Sequence, residues 1–308
     1  MSPLTRRSML TVAGGASAVL LATEAATGAV APTLDLSNPA AQVRAFLKLN
    51  SSLVPETLFH LYAGTLEALV PGRAPVMLTA STSIVRRQVE LLAEGHLVSL
   101  WEATVYHRAG ETEPLDSFVN PLNGRTVRPF HQREGRGQTL WTTNGPQILR
   151  DGQWVSGNRS GKPFALEWFQ ADGRIWTSRW SSGVYLKNPL DAEKWPLEST
   201  GPDLLYSEKT TNSGPLRELA DPSVMNASST YSLNQTMLWW PWLLMGQQPG
   251  YLVWNTQGVK LRTRDSLPAA SRKMIEKVHP TILGAAIPWD GHVSLWTDYP
   301  KMRTPERP

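Results

Sequence analysis

The amino-acid sequence predicts a mostly β fold, namely an antiparallel β-barrel or curved sandwich of lipocalin-like size with flanking helices. Residues 97–107 alternate between two faces, as a β-strand does. Turn-forming dipeptides recur at short intervals between residues 114 and 200. The 308 residues also include 23 Gly and 24 Pro, which is typical of a protein with many turns. An α+β fold with a curved sheet is the alternative.

The first strands are predicted from stretches of aromatic and β-branched residues. Residues 57–69 form one strand, and Val76–Leu92 form one long strand or a bent pair. Leu97–His107 form the clearest strand, whose two faces are Val98, Leu100, Glu102, Thr104 and Tyr106 on one side and Trp101, Ala103 and Val105 on the other. Neither face is plainly polar, so we expect a core on one side and a cavity or a covering element on the other.

Turn signals separate the shorter strands that follow. They are Asn123-Gly124, Asn144-Gly145-Pro146, Asp151-Gly152, Asp172-Gly173 and Ser182-Gly183. Residues 198–230 are polar and contain three prolines, so this segment is predicted to be an irregular connection and a candidate lid. Residues 250–261 are predicted to form a hairpin that turns at Thr256-Gln257-Gly258.

One helix is predicted near each end of the fold. Ser37 or Asn38 caps the first helix, and Pro39 suits its first turn. The second helix begins after Asp265-Ser266-Leu267-Pro268 and ends at Pro280.

The N-terminal segment predicts export. Arg6 and Arg7 precede an apolar stretch over residues 11–22, which is typical of a twin-arginine signal that is cleaved near residues 27–31. We therefore expect a signal at 1–31, a single β-rich domain at 32–290, a C-terminal tail at 291–308, and a periplasmic or secreted location. No later stretch reaches 18 apolar residues, so no stable membrane span is expected after cleavage.

Composition excludes several kinds of site. The chain has no Cys, which excludes disulfides, thiolate metal sites and Cys nucleophiles. The formal net charge is only +4 and no basic run occurs, so no nucleic-acid partner is expected. The six His are scattered and no glycine-rich phosphate loop is present. We expect no metal and no cofactor.

Four residues are candidates for acid–base catalysis: His60, Tyr62, Glu102 and Asp116. A carboxyl group in an apolar pocket has a raised pKa, which suits proton transfer near neutral pH. If the strand faces that carry His60, Tyr62 and Glu102 line one cavity, these groups form an acid–base site. In the structural alternative, Glu102 pairs with Arg86 or Arg87 and stabilises the sheet. Asp116 and Asn120 have their own alternative, a hydrogen-bonded turn network.

Trp is unusually abundant, with 13 of the 26 aromatic residues. Large rings of this kind bind flat or polycyclic ligands, stack on sugars or pack in a core. We predict that some line a cavity for an apolar small molecule such as a terpenoid, a steroid or an aromatic compound. The candidate ligand-binding residues are Tyr106, Asn120, Trp176, Trp180, Trp239, Trp240 and Trp242.

Four segments occur in an order that resembles a known family. They are Leu34-Asp35-Leu36 with Arg44 and Lys48, Leu115-Asp116 with Asn120-Pro121 and Gly124, Pro241-Trp242 with Met245-Gly246 and Gly250, and Leu267-Pro268. Over about residues 34–285 the chain is similar to the bacterial family catalogued as domain of unknown function 1838. The resemblance implies a twin-arginine leader, which is common in that family. It implies no catalytic residue, because the family's activity is unassigned.

These observations lead to three functional hypotheses. The first is a cofactor-independent lyase, hydratase, isomerase or cyclase that uses a buried acid or base. The second is a periplasmic carrier that binds the same kind of ligand without chemistry. The third is a carbohydrate-active protein with Glu102 and Asp116 as its carboxylate pair. Polar cavity walls favour the third, and a dry pocket with an isolated carboxyl group favours the first. The oligomeric state stays open.

Overall fold

A computed structural model describes residues 34–150, 152–157, 164–285 and 295–307, with the side chains of 134, 136, 150 and 181–185 excepted. The predicted export signal lies outside these residues. The described chain belongs to one compact unit, Pro32–Pro308.

Four α-helices flank the sheet: α1 (Pro39–Asn50), α2 (Leu216–Ala220), α3 (Ala269–Val278) and α4 (Leu295–Met302). The predicted cap of α1 is present, because the Asn38 side chain accepts a hydrogen bond from the Ala41 amide at 2.9 Å. Short 3₁₀ turns cover Pro241–Leu243, Arg264–Ser266 and Pro280–Leu283. Within the described ranges, no helix combines the length and the apolar character that crossing a bilayer requires.

Thirteen β-strands make up the rest of the described secondary structure. They are β1 (Glu56–Leu69), β2 (Val76–Leu92), β3 (Gly95–His107), β4 (Phe118–Val119), β5 (Thr126–Val127), β6 (Arg133–Thr142), β7 (Gly145–Arg150), β8 (Gln153–Ser156), β9 (Trp168–Ala171), β10 (Arg174–Lys187), β11 (Asp203–Pro215), β12 (Thr230–Met237) and β13 (Tyr251–Leu261).

Eleven of these strands form one antiparallel sheet, in the order β8-β7-β6-β3-β2-β1-β13-β12-β11-β10-β9. The strands β4 and β5 pair separately. The sheet is curved but is not closed, since β8 and β9 are its two ends among the described residues. The predicted β-rich antiparallel class is therefore confirmed, as an open curved sheet and not as a closed barrel.

The two faces of β3 have different neighbours. Trp101, Ala103 and Val105 pack with Met274 and Ile275 of α3 in one core cluster. Val98, Leu100 and Glu102, on the opposite face, line a cavity. The sequence predicted this arrangement from the absence of a plainly polar face, and the structure confirms it.

Three predictions about local structure were wrong. The segment 198–230 is not a lid, because β11 lies within it and pairs with β10 and with β12. The turn predicted at Thr256-Gln257-Gly258 is absent, since β13 continues from Tyr251 to Leu261. The Ser182-Gly183 pair is not a turn either, because β10 runs through it after a register shift between Trp180 and Ser182.

The C-terminal segment packs onto the core. Leu295 and Tyr299 of α4 are 1% and 3% exposed, and they belong to the largest apolar cluster. Tyr299 contacts the Phe130 and Trp195 rings, with ring centroids 5.6 and 5.9 Å away.

Candidate functional site

A cavity of about 280 Å³ lies on the concave side of the sheet. Its lining comes from α1 and from seven strands that span most of the sheet, so the curvature brings β6 opposite β10 and β11. The polar lining residues are Asn50, Tyr62, Arg87, Glu102, Thr139, Arg179, Glu208, Thr210 and Tyr231, and the others are Val85, Val98, Leu100, Gly137, Trp141 and Leu233.

Glu102 is the titratable group best suited to proton transfer. It lies on the same face of β3 as Val98 and Leu100, next to a register shift in the β3–β6 ladder. Burial is the main cause that raises the pKa of this carboxyl to about 7, and the negative charge of Glu208 raises it further. Arg87 and a hydrogen bond with Thr104 act in the opposite direction. Glu102 is therefore present in both protonation states near neutral pH.

Glu208 supplies a second carboxylate from the opposite wall. Its Oε2 accepts a hydrogen bond from the Tyr206 hydroxyl at 2.6 Å and another from Gln235 Nε2 at 2.6 Å. These neighbours fix the position of Glu208, because Tyr206 is on the same strand and Gln235 pairs with Glu208 across the β11–β12 ladder.

Two tyrosines pack side by side in the cavity. The rings of Tyr62 and Tyr231 have centroids 4.7 Å apart. Burial raises the pKa of both hydroxyl groups, so both stay protonated and can donate hydrogen bonds. Gly258 of β13 pairs with each of them, and a Cβ at this position would clash with the Leu61 carbonyl oxygen and with the Tyr62 ring. This glycine makes room for the tyrosine pair.

Two arginines complete the polar lining. The Arg179 guanidinium lies over the Phe46 ring at 5.0 Å and near the Trp141 ring at 6.0 Å. Burial lowers the pKa of Arg179. Arg87 is close enough to Tyr62 and Glu102 to lower the pKa of each. The Nε atoms of both arginines are buried without a hydrogen-bond partner among the described residues.

His60 is on the same face of β1 as Tyr62 but does not line the cavity. It is fully buried, and its ring centroid is 6.0 Å from that of Tyr62. Its Nε2 is 3.0 Å from the Asn50 carbonyl oxygen, so it donates to the last residue of α1. Burial and the nearby cations Arg87 and Lys260 lower its pKa well below the usual value, so the ring is neutral. Its predicted catalytic role stays a prediction.

The end of α1 is held in place by a half-buried lysine, Lys260. Lys260 Nζ donates hydrogen bonds to the carbonyl oxygens of Lys48 at 2.6 Å and of Ser51 at 3.0 Å. A cation at a helix C-terminus is favourable, because unpaired carbonyl groups concentrate negative charge there. The Asn50 side chain, which lines the cavity, donates to Asn212 Oδ1 at 3.2 Å. α1 thus closes one end of the cavity at a fixed position.

Of the predicted catalytic residues, the structure therefore brings Tyr62 and Glu102 into one cavity. Arg87 lies near Glu102. This agrees with the alternative in which Glu102 pairs with Arg86 or Arg87 and stabilises the sheet. Arg86 is on the other face of β2, where it donates to the carbonyl oxygens of Gly284 and Ala285. Asp116 is exposed and is not part of the cavity lining.

The predicted ligand-binding residues also lie outside the lining of this cavity. Trp239, Trp240, Trp242 and Tyr106 are buried in the largest apolar cluster. Trp176 stacks on Phe169, and Trp180 is 67% exposed. Trp141, which the sequence did not single out, is the tryptophan that lines the cavity. The ligand-binding roles of the other residues stay predictions.

Sequence reasoning missed Arg179, Glu208 and Tyr231. A signal for one of them was present, since Tyr206, Glu208, Thr210 and Asn212 occupy alternate positions, which is the period of a strand with a polar face. Among the described residues, no three His, Asp or Glu side chains are arranged to hold a metal ion.

Residues 55–299 match the family described as "Protein of unknown function (DUF1838)". The chain belongs to this family. The match covers all of the cavity lining of this DUF1838 protein except Asn50. A search of curated proteins finds no match.

Two of the segments that carry the family resemblance contact each other in this DUF1838 protein. The Asn120 side chain donates to the Leu243 carbonyl oxygen at 2.9 Å and to Met245 Sδ at 3.4 Å. Asn123 donates to the carbonyl oxygens of Leu243 and Leu244. These bonds fix the loop that carries the Trp239–Trp242 cluster. Asn120 also forms a local turn, because its side-chain oxygen accepts a hydrogen bond from the Leu122 amide at 3.0 Å.

Proposed function

We propose that this protein is an acid–base enzyme, a lyase or an isomerase, that acts on a small molecule in the concave cavity. The observation that carries the proposal is Glu102, a cavity-lining carboxyl group whose pKa is about 7. A general acid or base is most efficient when its pKa lies near the working pH. The expected place of action, the periplasm or the exterior of the cell, stays a prediction from the leader sequence.

The cavity supports a specific sequence of proton movements. Ionised Glu102 removes a proton from a carbon next to a carbonyl group, and the electron pair moves to the carbonyl oxygen. The protonated hydroxyl groups of Tyr62 and Tyr231 donate hydrogen bonds to the resulting oxyanion, and the arginines stabilise its charge. Protonated Glu102 then returns the proton to another carbon, which is isomerisation, or to a departing hydroxyl group, which is elimination.

The test detects proton transfer without knowledge of the natural substrate. The protein is incubated in D₂O with a panel of small ketones and oxo acids, and exchange of carbon-bound hydrogen is followed by NMR. We expect exchange for at least one compound, and Glu102→Gln to slow it by about 100-fold or more. Glu94→Gln, at the exposed β2–β3 turn, is the matched control and keeps the wild-type rate.

Two results separate this proposal from the alternatives. If compounds bind in the cavity but none exchanges, the non-catalytic carrier is the better description. The second carboxylate, Glu208, favours a glycoside-cleaving alternative in which it replaces the exposed Asp116 as the partner of Glu102. Aryl glycosides added to the same panel test that alternative, because their cleavage releases a coloured phenol.

A further inference from the structure

The cavity holds a guanidinium group, that of Arg179, which forms no ion pair with a described carboxylate, although the charge of Glu208 is close enough to raise its pKa. The Nε atom of Arg179 is buried without a hydrogen-bond partner among the described residues, and no carboxylate of the described side chains lies within 4.0 Å of the guanidinium group. Its contacts are the faces of the Phe46 and Trp141 rings. Ring contacts of this kind recover only part of the free energy that a buried cation loses when it leaves water. Arg179 is therefore prepared to bind a negative group.

The charges of the described residues around the cavity are not balanced without a further negative group. Arg87 and Arg179 contribute two positive charges, whereas Glu208 already accepts hydrogen bonds from Tyr206 and Gln235. Apart from Glu102, whose charge changes during the proposed proton transfer, the described lining residues carry a net charge of +1, because both tyrosines are neutral. A ligand with one negative charge neutralises this set.

The remaining lining is apolar. Val98, Leu100, Leu233 and the Trp141 ring form walls that have no charge to offer, in a cavity of about 280 Å³. This surface suits a hydrocarbon or aromatic body of modest size. An inorganic anion would leave these walls without a contact.

We propose that the cavity binds an organic monocarboxylate, with the carboxylate on Arg179 and Arg87 and the apolar body against Val98, Leu100, Leu233 and Trp141. The planar guanidinium group presents a fork of N–H donors that matches the two carboxylate oxygens. This inference rests on the proposed function, because it names the substrate class of the same cavity.

The experiment is calorimetric titration of the full-length protein with benzoate, cyclohexanecarboxylate and hexanoate. Benzyl alcohol serves as the neutral counterpart of benzoate, and inorganic phosphate serves as the anion without an apolar body. We expect at least one carboxylate to bind about 10-fold or more tightly than both of these. Arg179→Met should weaken carboxylate binding by about 30-fold and leave benzyl alcohol unaffected. Arg174→Gln, at an exposed position of the same strand, should change neither the affinity for the carboxylate nor the affinity for benzyl alcohol.

Several results overturn the inference. They are the absence of binding by all three carboxylates, equal binding of benzyl alcohol, and tighter binding of phosphate. If circular dichroism shows that Arg179→Met does not fold, the wild-type comparison of the five ligands decides alone.

Failure of this inference is distinguishable from failure of the proposed function. Glu102→Gln should still bind the carboxylate, because Glu102 is not one of its ligands. Carboxylate binding without any hydrogen exchange leaves the inference standing and removes the proposed function. Exchange that occurs only with neutral ketones leaves the proposed function standing and removes this inference.

Discussion

Glu102 makes the stability of the protein depend on pH. Its pKa is about 7 in the folded chain, whereas an unperturbed glutamate has 4.5. Below pH 4.5 the group is protonated in both the folded and the unfolded states and does not affect stability. As the pH rises to 7, the unfolded chain releases this proton first, so the folded state loses free energy relative to the unfolded state.

Glu102→Gln should remove this loss of stability with rising pH. The amide is neutral at every pH and has nearly the same shape. Relative to the wild type, we expect the free energy of unfolding of the variant to increase by about 2 kcal/mol between pH 4 and pH 8. Urea denaturation of the variant and of the wild type at the two pH values measures this change in the free energy of unfolding. A difference between variant and wild type that is the same at both pH values would show that Glu102 titrates normally.

Single residues also show how far the sequence predicts the site. Tyr62 and Glu102 were found because each is a titratable residue on a strand face with apolar neighbours, where a polar group needs a reason to be present. Arg179 gave no such signal, since its strand contains polar residues on both faces. The structure places His60 outside the lining of this cavity, and a sequence cannot distinguish a buried structural histidine from a catalytic one, so its predicted role stays a prediction. The curvature of the sheet determines which of these four side chains reach the cavity.

At the scale of the element, β13 shows how a close contact constrains a strand. Gly258 must stay small, since a Cβ there would meet the Leu61 carbonyl oxygen and the Tyr62 ring. We expect Gly258→Ala to lower the free energy of unfolding by about 3 kcal/mol, because the strands must separate to admit it. Gly137→Ala on β6 is the control, because its Cβ would meet no atom within 4 Å. Urea denaturation of both variants gives the comparison, and equal stability would contradict the packing argument.

The strand β11 explains why the sheet predicted from the sequence was incomplete. Its inward residues Glu208 and Thr210 line the polar cavity, and Asn212 is buried beside Asn50. The strand therefore lacks the alternation of apolar and polar residues by which strands are recognised. The inner faces of β1, β2 and β3 also carry polar residues, namely Tyr62, Arg87 and Glu102, but these strands are rich in aromatic and β-branched residues and were recognised. The polar residues of β11 that line the cavity are therefore the reason why this strand was not recognised in the sequence.

At the scale of the whole molecule, the core extends to the last described helix. Leu295 of α4 is 1% exposed within the largest apolar cluster. We expect Leu295→Ala to cost about 3 kcal/mol of unfolding free energy, from lost burial and from the cavity left behind. Met302 of the same helix is 69% exposed, so Met302→Ala should cost less than about 0.5 kcal/mol. Thermal unfolding of both variants distinguishes an integral helix from a loosely attached one, for which the two costs would be equal.

The pairing of β1 with β13 has a consequence for how the chain folds. It joins residues 59–69 to residues 251–261 in the middle of the sheet, and the cavity walls come from both sides of this seam. Neighbouring hairpins on either side can form early from local contacts. The seam, by contrast, must wait until nearly the whole chain has been synthesised, and closing so long a loop is slow. Tyr62 and Glu102 lie on one side of the seam, and Arg179, Glu208 and Tyr231 lie on the other. We therefore expect the two halves of the site to meet only when β13 pairs with β1, so a nascent chain that ends before β13 contains no complete site.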